Sequence, residues 1–269
     1  MHNNQSILTV IIGIYNCSDT LPDALDSLLN QTFNLFKIIL CDDGSTDSTY
    51  EVASSYSKRY SNIILLRNEK NQGLNYTLNH CLKYADTEFV ARMDGDDISL
   101  PTRFEKQLSY LTNHPEIDFV SSAMIYFDEK GDYKTGTVVE SPTKYDFVHG
   151  TPFCHAPCMV RREAYEAVSG YSEERRLLRV EDYHLWFKMY AKGFRGVNLK
   201  EPLYKMRDDR NAYSRRKFKY RINEMYVRHI GYKMLKLPFY YQIYTLRPIL
   251  VGLMPGWLYQ ILHKRNIKK

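Results

Sequence analysis

Four apolar, β-rich runs occupy the first hundred positions, and helical spacing follows each of them, which confines the chain to a narrow group of folds. The runs are ILTVIIGIY (7–15), FKIILCDD (36–43), NIILLR (62–67) and TEFVARM (87–93). A nearly continuous apolar run suits a strand covered on both faces, as in a parallel sheet. After the first run, Leu21, Leu25, Leu28 and Leu29 recur at i, i+4, i+7 and i+8, and Pro22 suits a first helical turn. After the second, GSTDST supplies helix-capping residues. Further helices are predicted from about Leu74 to Tyr84 and over about 101–113. Strand alternating with helix predicts an α/β fold, a mostly parallel sheet with helices on both faces. IDFVSSAMIYF (117–127) and the turn-like EKGD (129–132) predict a further strand and a hairpin, with helices near 162–169 and 181–192.

In such a sheet the ligand crevice lies beyond the carboxyl ends of the strands. Asp42 and Asp43 end one predicted strand, and Asp94, Asp96 and Asp97 follow another. Both acidic groups are therefore expected at one rim. The loop RMDGDD (92–97) crowds three carboxylates into four residues. That suits a hard divalent ion, Mg²⁺ or Mn²⁺, which takes one or two carboxylates and fills its shell with water and phosphates. A calcium-binding EF-hand loop is excluded, because Ser99 replaces its turn glycine, Ile98 an oxygen ligand, and Pro101 lies inside it. The alternative is a solvated acidic turn that caps the next helix. Neither G-x-x-x-x-G-K-[ST] nor G-x-G-x-x-G occurs. A nucleotide would then be held through the metal and through Asp42 and Asp43. Asp43 could instead cap the following helix, a task equally open to Ser45 or Asp47.

With 44% hydrophobic residues over 269 positions, the chain can build a sizeable core, so a disordered chain is excluded. Its net charge of +6 is unevenly spread. Residues 1–204 carry 21 basic against 28 acidic side chains, whereas residues 205–269 carry 16 against 3. An acidic body with a basic tail implies two tasks. Five scattered cysteines suggest reduced thiols in the cytoplasm, and Cys154 and Cys158 around His155 lack enough ligands for zinc. The opening MHNNQSILTV does not read as a secretion signal.

VIIGIYN, SLLNQTF, IILCDDGSTDST, NQGLNYTLNHCL, ARMDGDD and VEDYHLW occur in this order. Together they resemble a family 2 glycosyltransferase of the GT-A fold over roughly residues 7–207, and GTPFCH (150–155) with the basic tail looks like bacterial exopolysaccharide enzymes of the EpsE type. The resemblance implies a GT-A domain over 1–207 and a nucleotide-sugar donor, UDP-linked. It makes Asp94 and Asp96 the D-x-D metal motif, Asp43 the reader of the base and Tyr15 its neighbour. It also implies that Asp182 is the catalytic base of an inverting transfer. The Q-x-x-R-W string of processive members is absent, so one sugar per acceptor is expected. Relatives often carry a His after the last sheet strand; here KMRDDR (205–210) offers Asp208 and Asp209, leaving the third metal ligand open. Arg207 could meet the diphosphate or make a surface salt bridge. Arg175, Arg176 and Arg179 fall on the expected acceptor loop, and His155 is either a satisfied pocket residue or an acceptor contact.

Read as a helix, residues 181–192 place Asp182, Leu185, Trp186 and Met189 on one mainly apolar stripe. Glu181, His184, Lys188 and Lys192 would form the wet face. Asp182 then points inward, where burial favours a base, and Glu181 is an ordinary surface acid or a first-turn partner of the helix dipole; Asp182 could alternatively cap the helix.

The tail (208–269) interleaves basic and aromatic residues, and its uncharged stretches are too short or too broken to span a bilayer. It suits a segment lying in a membrane interface, with a structural lid as the alternative and nucleic acid not expected. The expected setting is the cytoplasm, peripheral on the inner face of the cell membrane, with a lipid-linked saccharide as acceptor. The rivals are a non-catalytic interaction protein on this fold, which intact Asp43, Asp94, Asp96 and Asp182 oppose, and a nucleotidyltransferase. The latter would want a glycine-rich basic loop where GIYNCSDT (13–20) stands.

Overall fold

The computed structural model describes residues 6–208 and 218–253. The expected strands form as β1 (Leu8–Ile14), β2 (Phe36–Asp42), β3 (Ile63–Arg67) and β4 (Phe89–Arg92). Between them run α1 (Leu21–Leu29), α2 (Thr49–Arg59) and α3 (Leu74–Leu82). The strands lie in the order β3-β2-β1-β4, all parallel. The chain thus winds outward from β1 to β3, then jumps back to the other side of β1. That reversal parts the loops after β1 and β4 and opens a crevice between them.

Both faces of this sheet are covered. Leu8, Val10, Ile12 and Ile14 share one buried cluster with Leu21, Leu25 and Leu28 of α1. Ile11 joins the opposite cluster with Leu78 and Cys81 of α3. This two-sided burial explains the unbroken apolar run of β1, and each such leucine contributes roughly 1.5–3 kcal/mol.

The sheet continues through β5 (Ile98–Ser99), β6 (Phe119–Asp128), β8 (Met159–Arg161) and β9 (Gly196–Arg207), with β7 (Gly131–Thr135) closing the expected hairpin on β6. Antiparallel β8 joins β4 to β6, while β6 and β9 are parallel. Short β5, just after the acidic loop, pairs antiparallel with β9 and ties that loop to the end of β9. α4 (Arg103–Asn113), α5 (Arg162–Ala167) and α6 (Glu181–Ala191) complete the body.

Beyond it, α7 (Phe218–Met234) packs on α6. A Cβ at Gly231 would stand 2.3 Å from the Phe187 ring. A mid-helix glycine costs roughly 1 kcal/mol against alanine, and here it permits that close approach. Arg228, also buried, donates to the Val148 carbonyl at 2.8 Å and to Glu224 at 3.0 Å. A 3-10 segment, Phe239–Leu246, and α8 (Arg247–Leu253) follow. They leave Phe239, Ile243 and Leu253 at least two-thirds exposed. Among the described residues no helix is long and apolar enough to cross a membrane. What was expected of 209–217 and 254–269 lies outside the described residues.

Candidate active site

A cleft of about 650 Å³ opens at the predicted rim, lined from β1 by Gly13, Ile14 and Tyr15, from β2 by Asp43, and from the β4 loop by Asp94 and Asp96. Arg179, Glu181, Arg207 and, from α7, Tyr220 close its other side. Strand ends meet here because β1, β2 and β4 are parallel neighbours.

Asp43 is buried and held from three directions. Its Oδ1 accepts from Asn68 Nδ2 at 2.8 Å and from the Gln72 amide at 2.9 Å, and its Oδ2 accepts from the Gly73 amide at 2.8 Å. Gly73 can present that amide because its φ of +94° suits glycine alone. Asn68 is fixed in turn by Thr77 and by His80 Nδ1 at 2.9 Å. The alternative of Asp43 as a helix cap is thereby set aside: Asp47 accepts from the Thr49 amide at the start of α2. Asp42 faces away and pairs with Arg67 at 3.1 Å.

Carboxylate oxygens of Asp94, Asp96 and Asp97 lie within 4.8 Å of one another. Asp97 is almost wholly buried; its Oδ1 accepts from the Arg207 amide at 2.7 Å and its Oδ2 has no partner among the described residues. Burial first, then the charges of Asp94 and Asp96, push its carboxyl up to about 8. Asp96, though exposed on the cleft, is raised too, by partial desolvation of its carboxyl and by Asp94. An all-oxygen set with a buried, under-satisfied carboxylate fits a hard divalent cation. Of the two tail acids considered as a third ligand, Asp208 is taken up by the Tyr133 hydroxyl at 2.7 Å, and Asp209 lies outside the described residues. Arg207 stacks over Phe127 and donates to the Asp96 carbonyl at 3.1 Å.

α6 departs from the expected two-faced helix. Tyr183, Leu185, Trp186, Phe187, Met189 and Tyr190 are all buried, so apolar side chains ring the helix. The expected wet face is covered in part, with Glu181, His184 and Lys188 half-buried and Lys192 exposed: residues 168–170 fold back across it, where Lys188 donates to the Val168 carbonyl at 2.8 Å and to Gly170. Glu181 is therefore not a surface acid. It lines the cleft with Oε2 buried and without a partner among the described residues, and burial, then Asp182, raises its carboxyl. Asp182, expected to point inward, is half-buried beside it and is not among the residues that line the cleft; its charge is felt by Cys154, Cys158 and Tyr171. His155 shares a hydrogen bond with the Tyr171 hydroxyl at 2.7 Å and is not among the residues that line the cleft. Arg179 reaches the cleft with a left-handed backbone, φ +67°. Sequence pattern alone assigns no site role to Arg92, Asn68 or Glu181. Arg92 stands in the RMDGDD motif itself, and the structure pairs it with Asp94.

A doubly covered sheet of order 3-2-1-4, with a cleft at its switch point lined by Asp43, Asp94 and Asp96, is the arrangement of a transferase of the GT-A type. A family model described as glycosyl transferase family 2 matches residues 9–169, and the chain belongs to that family. It is 40% identical to EpsE of Bacillus subtilis over 266 residues, covering 98% of this chain and 96% of that one. It is 29% identical over 236 residues to WfaP of Escherichia coli, covering 85% and 88% respectively; that protein is named a UDP-Glc:α-D-GlcNAc-diphosphoundecaprenol β-1,3-glucosyltransferase. Among solved structures, S. aureus TarS in complex with UDP superposes with a TM-score of 0.65 at 20% identity, over 85% of this chain and 69% of that one. The chain is a family 2 glycosyltransferase with the GT-A fold.

Proposed function

We propose that the enzyme moves one sugar per encounter from a UDP-sugar to a lipid-linked saccharide, with inversion, in the synthesis of a surface polysaccharide. The observation that carries this reading is the meeting of Asp43, Asp94 and Asp96 on one cleft. Asp43 accepts the imide N–H of uracil, with Tyr15 against the ring. Arg179 and Arg207 border the diphosphate. Asp94 and Asp96 would hold Mn²⁺ or Mg²⁺, which would supply positive charge against the departing diphosphate. Asp182 takes the proton of the acceptor hydroxyl as that oxygen attacks the anomeric carbon opposite the leaving phosphate oxygen. One bond forms while one breaks, so the configuration inverts. The name of WfaP supports the UDP-sugar and the lipid-linked acceptor. The exposed row Phe239, Tyr240, Ile243, Leu250 and Leu253, on a basic tail, supports docking to an anionic membrane at the cytoplasmic face.

Calorimetry of UDP binding with Mn²⁺ and in EDTA tests the donor site. UDP is expected to bind only with the ion present; equal affinity in EDTA overturns the metal's part.

A further inference from the structure

The acidic loop faces a cation that the protein already owns. Arg92 ends β4 with its side chain only 4% exposed, and its guanidinium is ion-paired to Asp94 Oδ1. Arg103, wholly buried, holds the backbone beneath it, donating to the Arg92 carbonyl at 2.7 Å and the Cys158 carbonyl at 3.3 Å. The same Arg103 lies 5.0 Å from the Tyr204 ring, whose hydroxyl accepts from the Asp94 amide at 3.1 Å. Asp94 is thus gripped through both main chain and side chain by groups rooted in the core.

A guanidinium does not give up its proton, and a buried one has no solvent to turn toward. One oxygen of Asp94 is therefore committed before any ligand arrives. A divalent ion at Asp94 and Asp96 stands beside a fixed positive charge whose repulsion little water screens. A diphosphate arriving with the ion reverses that balance, because its negative charge is attracted by both cations.

We infer that Arg92 is a positioning residue that makes cation and nucleotide binding interdependent: it fixes Asp94, keeps the free enzyme's hold on the ion weak, and is outweighed only when the nucleoside diphosphate enters with the ion. This rests on the reading of Asp94 and Asp96 as metal ligands. Linkage requires that the factor by which UDP tightens Mn²⁺ equals the factor by which Mn²⁺ tightens UDP.

The test is a titration of Mn²⁺ into the full chain, read by the loss of the free-ion electron paramagnetic resonance signal, with and without UDP. Wild type is expected to bind Mn²⁺ at least tenfold more tightly with UDP. Arg92→Met is expected to bind Mn²⁺ alone at least tenfold more tightly than wild type and to lose most of the UDP enhancement. Arg92→Lys keeps the charge and should retain weak binding of the ion alone. Should Arg92→Met fail to fold with Asp94 unpaired, the double variant Arg92→Met/Asp94→Asn removes the pair whole. It should bind Mn²⁺ at least tenfold more tightly than Asp94→Asn, in which the guanidinium stands alone. Equal Mn²⁺ affinity with and without UDP in wild type overturns the inference, as does equal affinity in the variants that differ only at Arg92. No Mn²⁺ binding even with UDP instead overturns the underlying metal assignment.

Discussion

Asp43 and Glu181 are carboxylates on opposite walls of one cleft, and they are built in opposite ways. Both oxygens of Asp43 meet N–H donors, three among the described residues, and the Asn68 donor is itself braced by Thr77 and His80. Glu181 keeps a buried oxygen without a partner among the described residues, beside Asp182, and is raised for that reason. A carboxylate that must recognise one base edge gains from being held rigid. Groups that handle a proton or a moving substrate gain from being left short of partners, because under-satisfied, crowded acids shift toward useful protonation. Under the proposed function the Asp43 side of the cleft would read the base, and the α6 side is where chemistry is expected.

The largest effect that could break this division lies on α6. Asp182→Asn removes the proton acceptor while keeping size, and transfer is expected to fall by about 10²–10⁴-fold with UDP binding intact. From helical periodicity alone, Glu181→Gln should cost less than tenfold. Its place on the cleft wall changes that expectation to more than tenfold. Initial rates and UDP calorimetry on both variants, with folding checked by circular dichroism, decide between them. If Glu181→Gln abolishes transfer and Asp182→Asn spares it, the base has been assigned to the wrong neighbour.

A second contrast sharpens the first. α7 sends Val227 and Tyr232 into the core, whereas the segment after it turns Phe239, Ile243 and Leu250 outward. Replacing those three by Ser is expected to release the protein from anionic liposomes by about a hundredfold, since each apolar side chain entering a bilayer contributes on the order of 1 kcal/mol or more. Transfer to a soluble acceptor should survive. Flotation that is unchanged by the triple variant would mean that this row belongs to a lid.

On the reading side, Asp43→Asn swaps an acceptor for a donor opposite the base. Hydrogen bonds to charged groups contribute about 1.5–3 kcal/mol, so UDP affinity should weaken by about 10–100-fold while the rate at saturation changes little. A fall in the saturated rate with affinity preserved would move Asp43 into the chemistry.

These two sides also differ in how far a sequence can expose them. β1 and β2 are covered on both faces, which leaves apolar runs that nothing else explains, and Asp42 and Asp43 fall where β2 must end. β9 is not legible. Its GVNLKEPLYKMR exposes Lys200 and Glu201 and slips register against β6, so no period survives. The covered side of α6 escapes a sequence reading because periodicity predicts one buried face, and residues 168–170 and α7 bury others. Arg92 is in plain view, but a sequence does not show which way a strand-ending arginine turns.

The smallest effect tests whether the two regions titrate in opposite senses. Burial raises Asp97, and the crowding of Asp94, Asp96 and Asp97 adds to it, so the folded state keeps a proton there that the unfolded chain releases. That carboxyl favours folding as pH falls. On α6, burial and then Lys188 lower His184 to about 4. An unfolded chain protonates this histidine near pH 6.5, whereas the folded one resists until about 4. Stability is thus undiminished by His184 above about pH 6.5 and is lost as pH falls from there toward 4. Each tenfold difference in proton affinity between the two states is worth about 1.4 kcal/mol, and the partial exposure of the ring trims the total to roughly 1–2 kcal/mol. His184→Gln removes the proton site. Whatever constant cost the substitution carries, the gap between variant and wild type should close by roughly 1–2 kcal/mol between pH 7 and 4.5, or a few degrees in Tm for a protein of this size. Thermal melts of both proteins in EDTA across that range measure the gap directly and cancel every group they share. A gap independent of pH would place His184 in water and overturn the claim that this face of α6 is partly covered.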